Sequence, residues 1–311
     1  MRVTGNSYTE NLVRQLNTLT ARQYRLQNQA ATGQRIDSPE DDPAAMQRAM
    51  ALRAENRGTA QFSSNIATLK ERATASYNAL RALQKISDRV SELATLADGT
   101  RSPEELKVYA REVTQLTQQA AQLMNSKHGD QHLFGGTASG AAPFTVTTDA
   151  DGNVTAVTYG GNTSVAAADI AAGVALAVDV PGENNTGTGP RGLVSDSRSG
   201  ADFFAHLISL QNHLLAGDTA AIGTTDRPAL QRDEDNFIYH LGGNGAIQTR
   251  LETAGTLTAN RSLSLTQMIS REVDADLAQT IVELNQAQTA YSAALQSGAG
   301  ILRMSLMDYL R

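Results

Sequence analysis

Residues 274–311 constrain the fold more than any other stretch of the chain. Their apolar side chains fall at Leu277, Ile281, Leu284, Tyr291, Leu295, Leu302, Leu306 and Tyr309, with Gln288 and Gly298 in two of the intervening slots. Steps that alternate three and four residues lay side chains along one narrow stripe of a helix. Such a stripe has the width of a coiled-coil seam and is too thin to enclose a core alone. The segment therefore needs a partner helix, from its own chain or another. The sequence stops almost on the last stripe residue, so its extreme C-terminus is expected to be buried.

The other end of the chain offers a matching stripe. Over residues 8–32, Leu12, Leu16, Leu19, Leu26 and Ala30 keep the same stepping, and Gln23 fills one slot. Gly33 sits where a left-handed residue would stop the helix. Asp42 then suits an N-cap and Pro43 the first helical position. A second helix is expected over 43–97, marked by Phe62, Ile66, Leu69, Ala73, Leu80, Leu83, Val90 and Ala97. Gly58 is its weak point, at roughly 1 kcal/mol against Ala. Ser102 and Glu105 have capping-box spacing around Pro103, opening a third helix through Leu106, Tyr109, Val113, Leu116, Ala120 and Leu123.

Helical stepping breaks at Gly129. Phe144, Val146 and Thr148 alternate, Asp151-Gly152-Asn153 signals a turn, and Val154–Tyr159 is β-rich. Residues 136–200 read as a small β-rich insertion. Helical stepping returns at Phe203, Leu207, Leu210 and Leu214, and again from Asp226 through Leu230, Phe237, Leu241, Leu251, Leu265 and Met268. Gly242-Gly243-Asn244-Gly245 predicts a kink or local break there. The expected fold is mainly α: a long antiparallel helical bundle or coiled coil made from both chain ends, with the β-rich domain inserted. Three domains follow: 1–40 with 271–311 as the coiled coil, 41–135 with 201–270 as a helical shell, and 136–200 as the insertion.

Composition narrows the function. Only 5% of residues are aromatic and none is Trp, which suits helices packed side by side better than one thick core. The formal charge is -6 with no basic run, which argues against nucleic acid and anionic membrane as partners. The absence of Cys removes disulfides, Cys-zinc sites and thiol catalysis. The opening residues Met1–Tyr8 have no apolar core of a secretory signal, and the longest apolar run, near Ala171–Val178, is too short for membrane insertion.

Chemical motifs are few. His128 and His132 flank Asp130 at a spacing that on a helix would make half a metal site, but no third ligand is evident. His206 and His213 suit a structural place beside an apolar stripe. Asp233-Glu234-Asp235 reads as a solvated face. The glycines at 242–245 lack the Lys-Ser/Thr of a phosphate loop. Asn153, Asn162, Asn184 and Asn260 match a glycosylation pattern short enough to recur by chance. An enzyme centred on 137–200 would need chemistry from a stretch with no His and no Lys. No catalytic, metal or cofactor-binding residue is assigned, and no cofactor is expected.

The order of motifs resembles the bacterial flagellin family, and within it the members that join hook to filament. Four stretches carry the resemblance: Met1-Arg2-Val3 before the first stripe; Gly33-Gln34-Arg35-Ile36 with Asp41-Asp42-Pro43-Ala44-Ala45; Leu133-Phe134-Gly135-Gly136-Thr137 leading to Pro143-Phe144; and Ser305–Leu310. The Gly242–Gly245 segment departs from the unbroken helix of that family. The resemblance implies a structural flagellar subunit, exported without a cleaved signal and located outside the cell in the flagellum. It implies self-association in a ring or tube, with hook-associated protein 1, flagellin and an export chaperone as partners. The assembly seam would comprise Leu12, Leu16, Leu19 and Leu26 with the apolar residues of 277–309 named above. Both ends are expected to be mobile before assembly and to order in it. A filament flagellin with a small outer domain is the alternative; an adhesin-like role for the insertion is disfavoured.

Overall fold

The structure is a computed structural model describing residues 6–309, with side-chain detail from 10 to 300. Helix α1 spans Asn6–Thr32 and stops at Gly33, whose φ of 70° is left-handed and whose N–H reaches Gln29 O at 2.9 Å. Helix α2 spans Pro43–Leu96 and starts where Asp42 Oδ1 accepts from Ala45 N at 3.0 Å. It runs through Gly58 without interruption. Helix α3, Pro103–Met124, begins with the expected capping box: Glu105 N donates to Ser102 Oγ at 3.3 Å and Ser102 N to Glu105 Oε2 at 2.9 Å.

The stretch between α3 and the next helix contains small, separate sheets. Strands β1 (Lys127–His128) and β2 (Gln131–His132) form a hairpin, as do β3 (Phe144–Thr148) with β4 (Val154–Tyr159), and β5 (Ala167–Ala171) with β6 (Val174–Ala177). Strand β7 (Glu183–Asn184) runs parallel to β8 (Ser195–Asp196), which pairs antiparallel with β9 (Ala201–Asp202). Helix α4 follows at Phe203–Ala216, stopped by Gly217 at φ 71°. A short turn of helix α5 (Thr219–Ala221) and a π-helical turn (Ile222–Asp226) lead into α6 (Arg227–Val273), and α7 spans Leu277–Tyr309. The architecture is mainly α, with long helices from both chain ends and a small β-rich region between them.

The chain divides into two compact units. Residues to Gly58 and from Asn260 make one; Thr59–Ala259 make the other. The core of the second is built on α2, α3, α4 and α6, where Phe203 meets Phe237 edge-on at 5.0 Å. Hairpin β3–β4 is tied to that core by the buried Gln211 of α4. Its Oε1 accepts from Thr114 Oγ1 at 2.7 Å and Val154 N at 3.2 Å, and its Nε2 donates to Val154 O at 3.1 Å. A lesser cluster seats Ile170, Leu176 and Val178 on Ile66, Leu69, Ala73 and Leu251.

Two sequence expectations are corrected here. Helix α6 is unbroken through Gly242–Gly245. Asn244 is buried there, donating to Ala73 O at 3.0 Å and accepting from Gln248 at 2.7 Å. Fully buried Phe237 and Leu251 anchor the turns on either side. Packing outweighs a propensity cost of about 1 kcal/mol per glycine. Asp233 is not on a solvated face. It is fully buried, because the helical period that turns Leu230 and Phe237 inward turns 233 inward as well. His206 Nδ1 lies 2.7 Å from its Oδ2, and His213 Nδ1 lies 2.7 Å from Oδ2 of the equally buried Asp226.

Candidate assembly interface

The unit made from the chain ends holds the proposed seam and five of the eight signature residues: Arg35, Ile36, Asp41, Asp42 and Pro43. Its loop at 33–42 closes on the joint between α6 and α7. Arg35 N donates to Val273 O at 2.7 Å and Ala275 N to Gly33 O at 2.8 Å, around an antiparallel bridge between Gln34 and Asp274. The Arg35 guanidinium donates to Glu272 O at 2.7 Å and lies 3.7 Å from Asp42. Ile36 is the buried side chain of this loop. Asp41 Oδ2 accepts from the N–H groups of Ser38 and Asp37, both at 3.1 Å, which holds its carboxyl below the ordinary value. The Ala45 N–H does the same for Asp42. Pro43 opens α2. Sequence recognised these residues as a motif; their contacts show it to be a clasp.

The start of α2 runs beside the end of α6. Arg48 pairs with Glu272 at 2.8 Å, Arg261 with Glu55 at 2.5 Å, and Ser262 Oγ donates to Asn56 Oδ1 at 3.0 Å. Ala45 and Ala49 are fully buried on this first part of α2.

Helices α1 and α7 pack antiparallel, with Arg22 on Glu283 at 3.2 Å and Leu12 on Gly298. On α1 the covered face is the stripe read from sequence: Leu26 is buried and Leu12, Leu16, Leu19, Gln23 and Ala30 are half-buried. On α7 it is another face. The covered row is Thr280, Leu284, Ala287, Tyr291, Ala294 and Gly298. At 100° per residue this row is turned roughly 60° from the leucine row. Leu284 and Tyr291 belong to both rows. Leu277, Ile281 and Leu295 stay 48%, 52% and 45% exposed. The side chains of Leu302, Leu306 and Tyr309 lie outside the described residues. Spacing held the signal for the missed row, since 280, 287 and 294 are seven apart. The small size of those residues hid it.

Phe134, Gly135 and Gly136 belong to the Thr59–Ala259 unit. Phe134 is buried, and its carbonyl accepts from Gly182 N at 2.8 Å and Tyr159 OH at 3.0 Å. Gly136 has φ 64°, and a Cβ there would run into Asn162. These residues seat the start of the insertion. His128 and His132 lie on a hairpin, not a helix, and His132 Nδ1 is 2.8 Å from Asn125 O. Among the described residues no group of three or more His, Asp or Glu side chains is placed to hold a metal, and no helix is long and apolar enough to cross a membrane.

Residues 3–139 match the family described as bacterial flagellin N-terminal helical region. The chain is similar to the bacterial flagellin family. This flagellin-like chain is also 22% identical over 295 residues to flagellar hook-associated protein 3 of Escherichia coli strain K12, covering 90% of each. Among solved structures it has the fold of a putative flagellar hook-associated protein from Vibrio parahaemolyticus, at TM-score 0.63 and 18% identity over 75% of this chain and 100% of that one. It likewise has the fold of FlgL from Bacillus cereus, at TM-score 0.55 and 20% identity over 71% of this chain and 99% of that one.

Proposed function

We propose that this chain is a structural subunit of the bacterial flagellum that forms the junction between hook and filament. One observation carries the reading: α7 shows an apolar row, Leu277, Ile281 and Leu295, beside the face that α1 already covers. Burying the exposed half of one such side chain is worth about 1 kcal/mol, so the row favours packing against further helices. Those helices come from neighbouring copies, with α1 and α7 as the assembling pair. Residues 1–40 with 271–311 form the axial coiled coil, 41–135 with 201–270 the helical shell around it, and 136–200 the outer domain. The seam includes Leu302, Leu306 and Tyr309.

The role is structural rather than enzymatic. Partners are further copies in a ring or tube, hook-associated protein 1 on one side, flagellin on the other, and an export chaperone beforehand. The protein acts outside the cell, exported by the flagellar secretion apparatus without a cleaved signal peptide. Identity of 22% to hook-associated protein 3, over 90% of each chain, supports the junction. The match of residues 3–139 to the flagellin helical region supports a filament flagellin as the second reading. Immunogold labelling of intact flagella separates them: label confined to the hook–filament boundary is expected, and label along the filament overturns the junction reading.

A further inference from the structure

The three short strands β7, β8 and β9 place Glu183, Ser195 and Asp202 in one row across the sheet, since Ser195 is the register partner of both acids. Side chains of register partners share a face. Ser195 Oγ is engaged with Asn185 at 3.1 Å. The half-buried Glu183 carboxylate has no hydrogen-bond donor and no cation partner among the described residues. Asp202 continues the acidic line: its N–H donates to Asp233 Oδ1 at 2.9 Å, and its own carboxylate caps α4 at Ala205 N, 3.4 Å away. The groups around this line are His206 of α4, paired with Asp233 of α6, and the Tyr159 hydroxyl of β4, which accepts from Gly182 N at 3.3 Å. The imidazole of His206 is engaged by Asp233 alone, which leaves the Glu183 carboxylate without a partner on this row.

The same sheet holds an internal contrast. Asp196 is more deeply buried than Glu183, and burial alone would raise its pKa. Arg198 at 2.6 Å and the Gly192 and Arg198 N–H groups outweigh that and hold it at about 2. Glu183 has no such compensation. Burial first and the charge of Asp202 second push it up to about 7.

We propose that the Glu183–Ser195–Asp202 row is a pH-sensitive fastening, which holds residues 183–202 in place while Glu183 keeps its proton and loosens them once it ionises. The sign follows from linkage. Below the ordinary carboxylate range Glu183 is protonated whether the segment is folded or open, and it costs nothing. From there to neutrality the folded segment keeps a proton that the open one has released, so protection falls as pH rises. Above neutrality both forms are ionised and the loss is complete.

The test is amide exchange by mass spectrometry on the full chain at pH 6 and pH 8, corrected for the intrinsic pH dependence of exchange. In the wild type, protection over 183–202 is expected to fall on the order of tenfold between the two pH values. Glu183→Gln is expected to abolish that fall. Should Glu183→Gln fail to fold, Asp202→Asn serves in its place: Asn still caps α4, and removing the neighbouring charge is expected to shrink the fall. Protection in the wild type that does not change between pH 6 and pH 8 overturns the proposal. So does a fall of equal size in wild type and variant.

Discussion

Gly298 of α7 sits directly against the side chain of Leu12 of α1: a Cβ at position 298 would stand 2.5 Å from Leu12 Cδ2. The glycine is there to admit the leucine. Alanine would regain about 1 kcal/mol of helix propensity at the cost of pushing that methyl aside, so its net effect is small. Gly298→Val adds two methyls to the same contact and is expected to weaken the pair by about 1–3 kcal/mol. Amide exchange over 10–32 in assembled material would register this as lost protection; unchanged protection there would count against the packing described.

The exposed row of α7 separates folding from assembly. Ile281→Asp changes a half-exposed side chain, and surface changes of this kind stay within about 0.5 kcal/mol of neutral. The melting transition should stay in place while incorporation into flagella is lost. Leu284→Asp, in the covered row, should block incorporation too, but also disturb the α1–α7 pair. Equal motility of cells complemented with wild type and Ile281→Asp would refute the role given to this row.

Outside the assembly, α1 and α7 cover only one face of each other, and isolated helices of this size are marginal in water. Amide exchange over 10–32 and 277–300 is expected to be fast in monomer and slow in assembled material. Strong protection of both segments in monomer would contradict this.

His206→Ala strands the buried Asp233 with the Asp202 N–H as its remaining donor. Leaving a buried polar group short of a hydrogen-bond partner costs about 1–3 kcal/mol. The urea midpoint of the Thr59–Ala259 unit is expected to drop accordingly. A change below about 1 kcal/mol would mean that solvent, not His206, balances the carboxylate.

Gly242, Gly243 and Gly245 are exposed on α6, and a Cβ on each meets nothing within 4 Å. Each substitution by Ala is expected to stabilise the chain by about 0.5–1 kcal/mol. A rise in melting temperature with each added alanine would confirm a straight, unstrained helix. A fall would mean that the helix bends at these glycines.

Local chemistry was legible in the chain alone. The capping box at Ser102 and Glu105, the stop at Gly33 and the start at Asp42-Pro43 all appear where spacing placed them, because each depends on contacts within a few residues. The stripe of α1 was legible for the same reason, since its large apolar residues mark the covered face. The covered face of α7 was not. A hydrophobic pattern records which side chains avoid water in every state of the protein, and it does not say which neighbour covers them. Thr280, Ala287, Ala294 and Gly298 meet α1 because small residues let two backbones approach, which leaves the leucines to one side. Distance in sequence hid the rest. Asp233 became a buried partner only when α4 brought His206 to it, and Gly242–Gly245 stayed helical because Asn244 reached Ala73 on α2. Sequence alone determined where the helices begin and end and which family they resemble. Tertiary structure decided which faces are spent inside the chain and which remain for others, because burial depends on what a fold brings alongside.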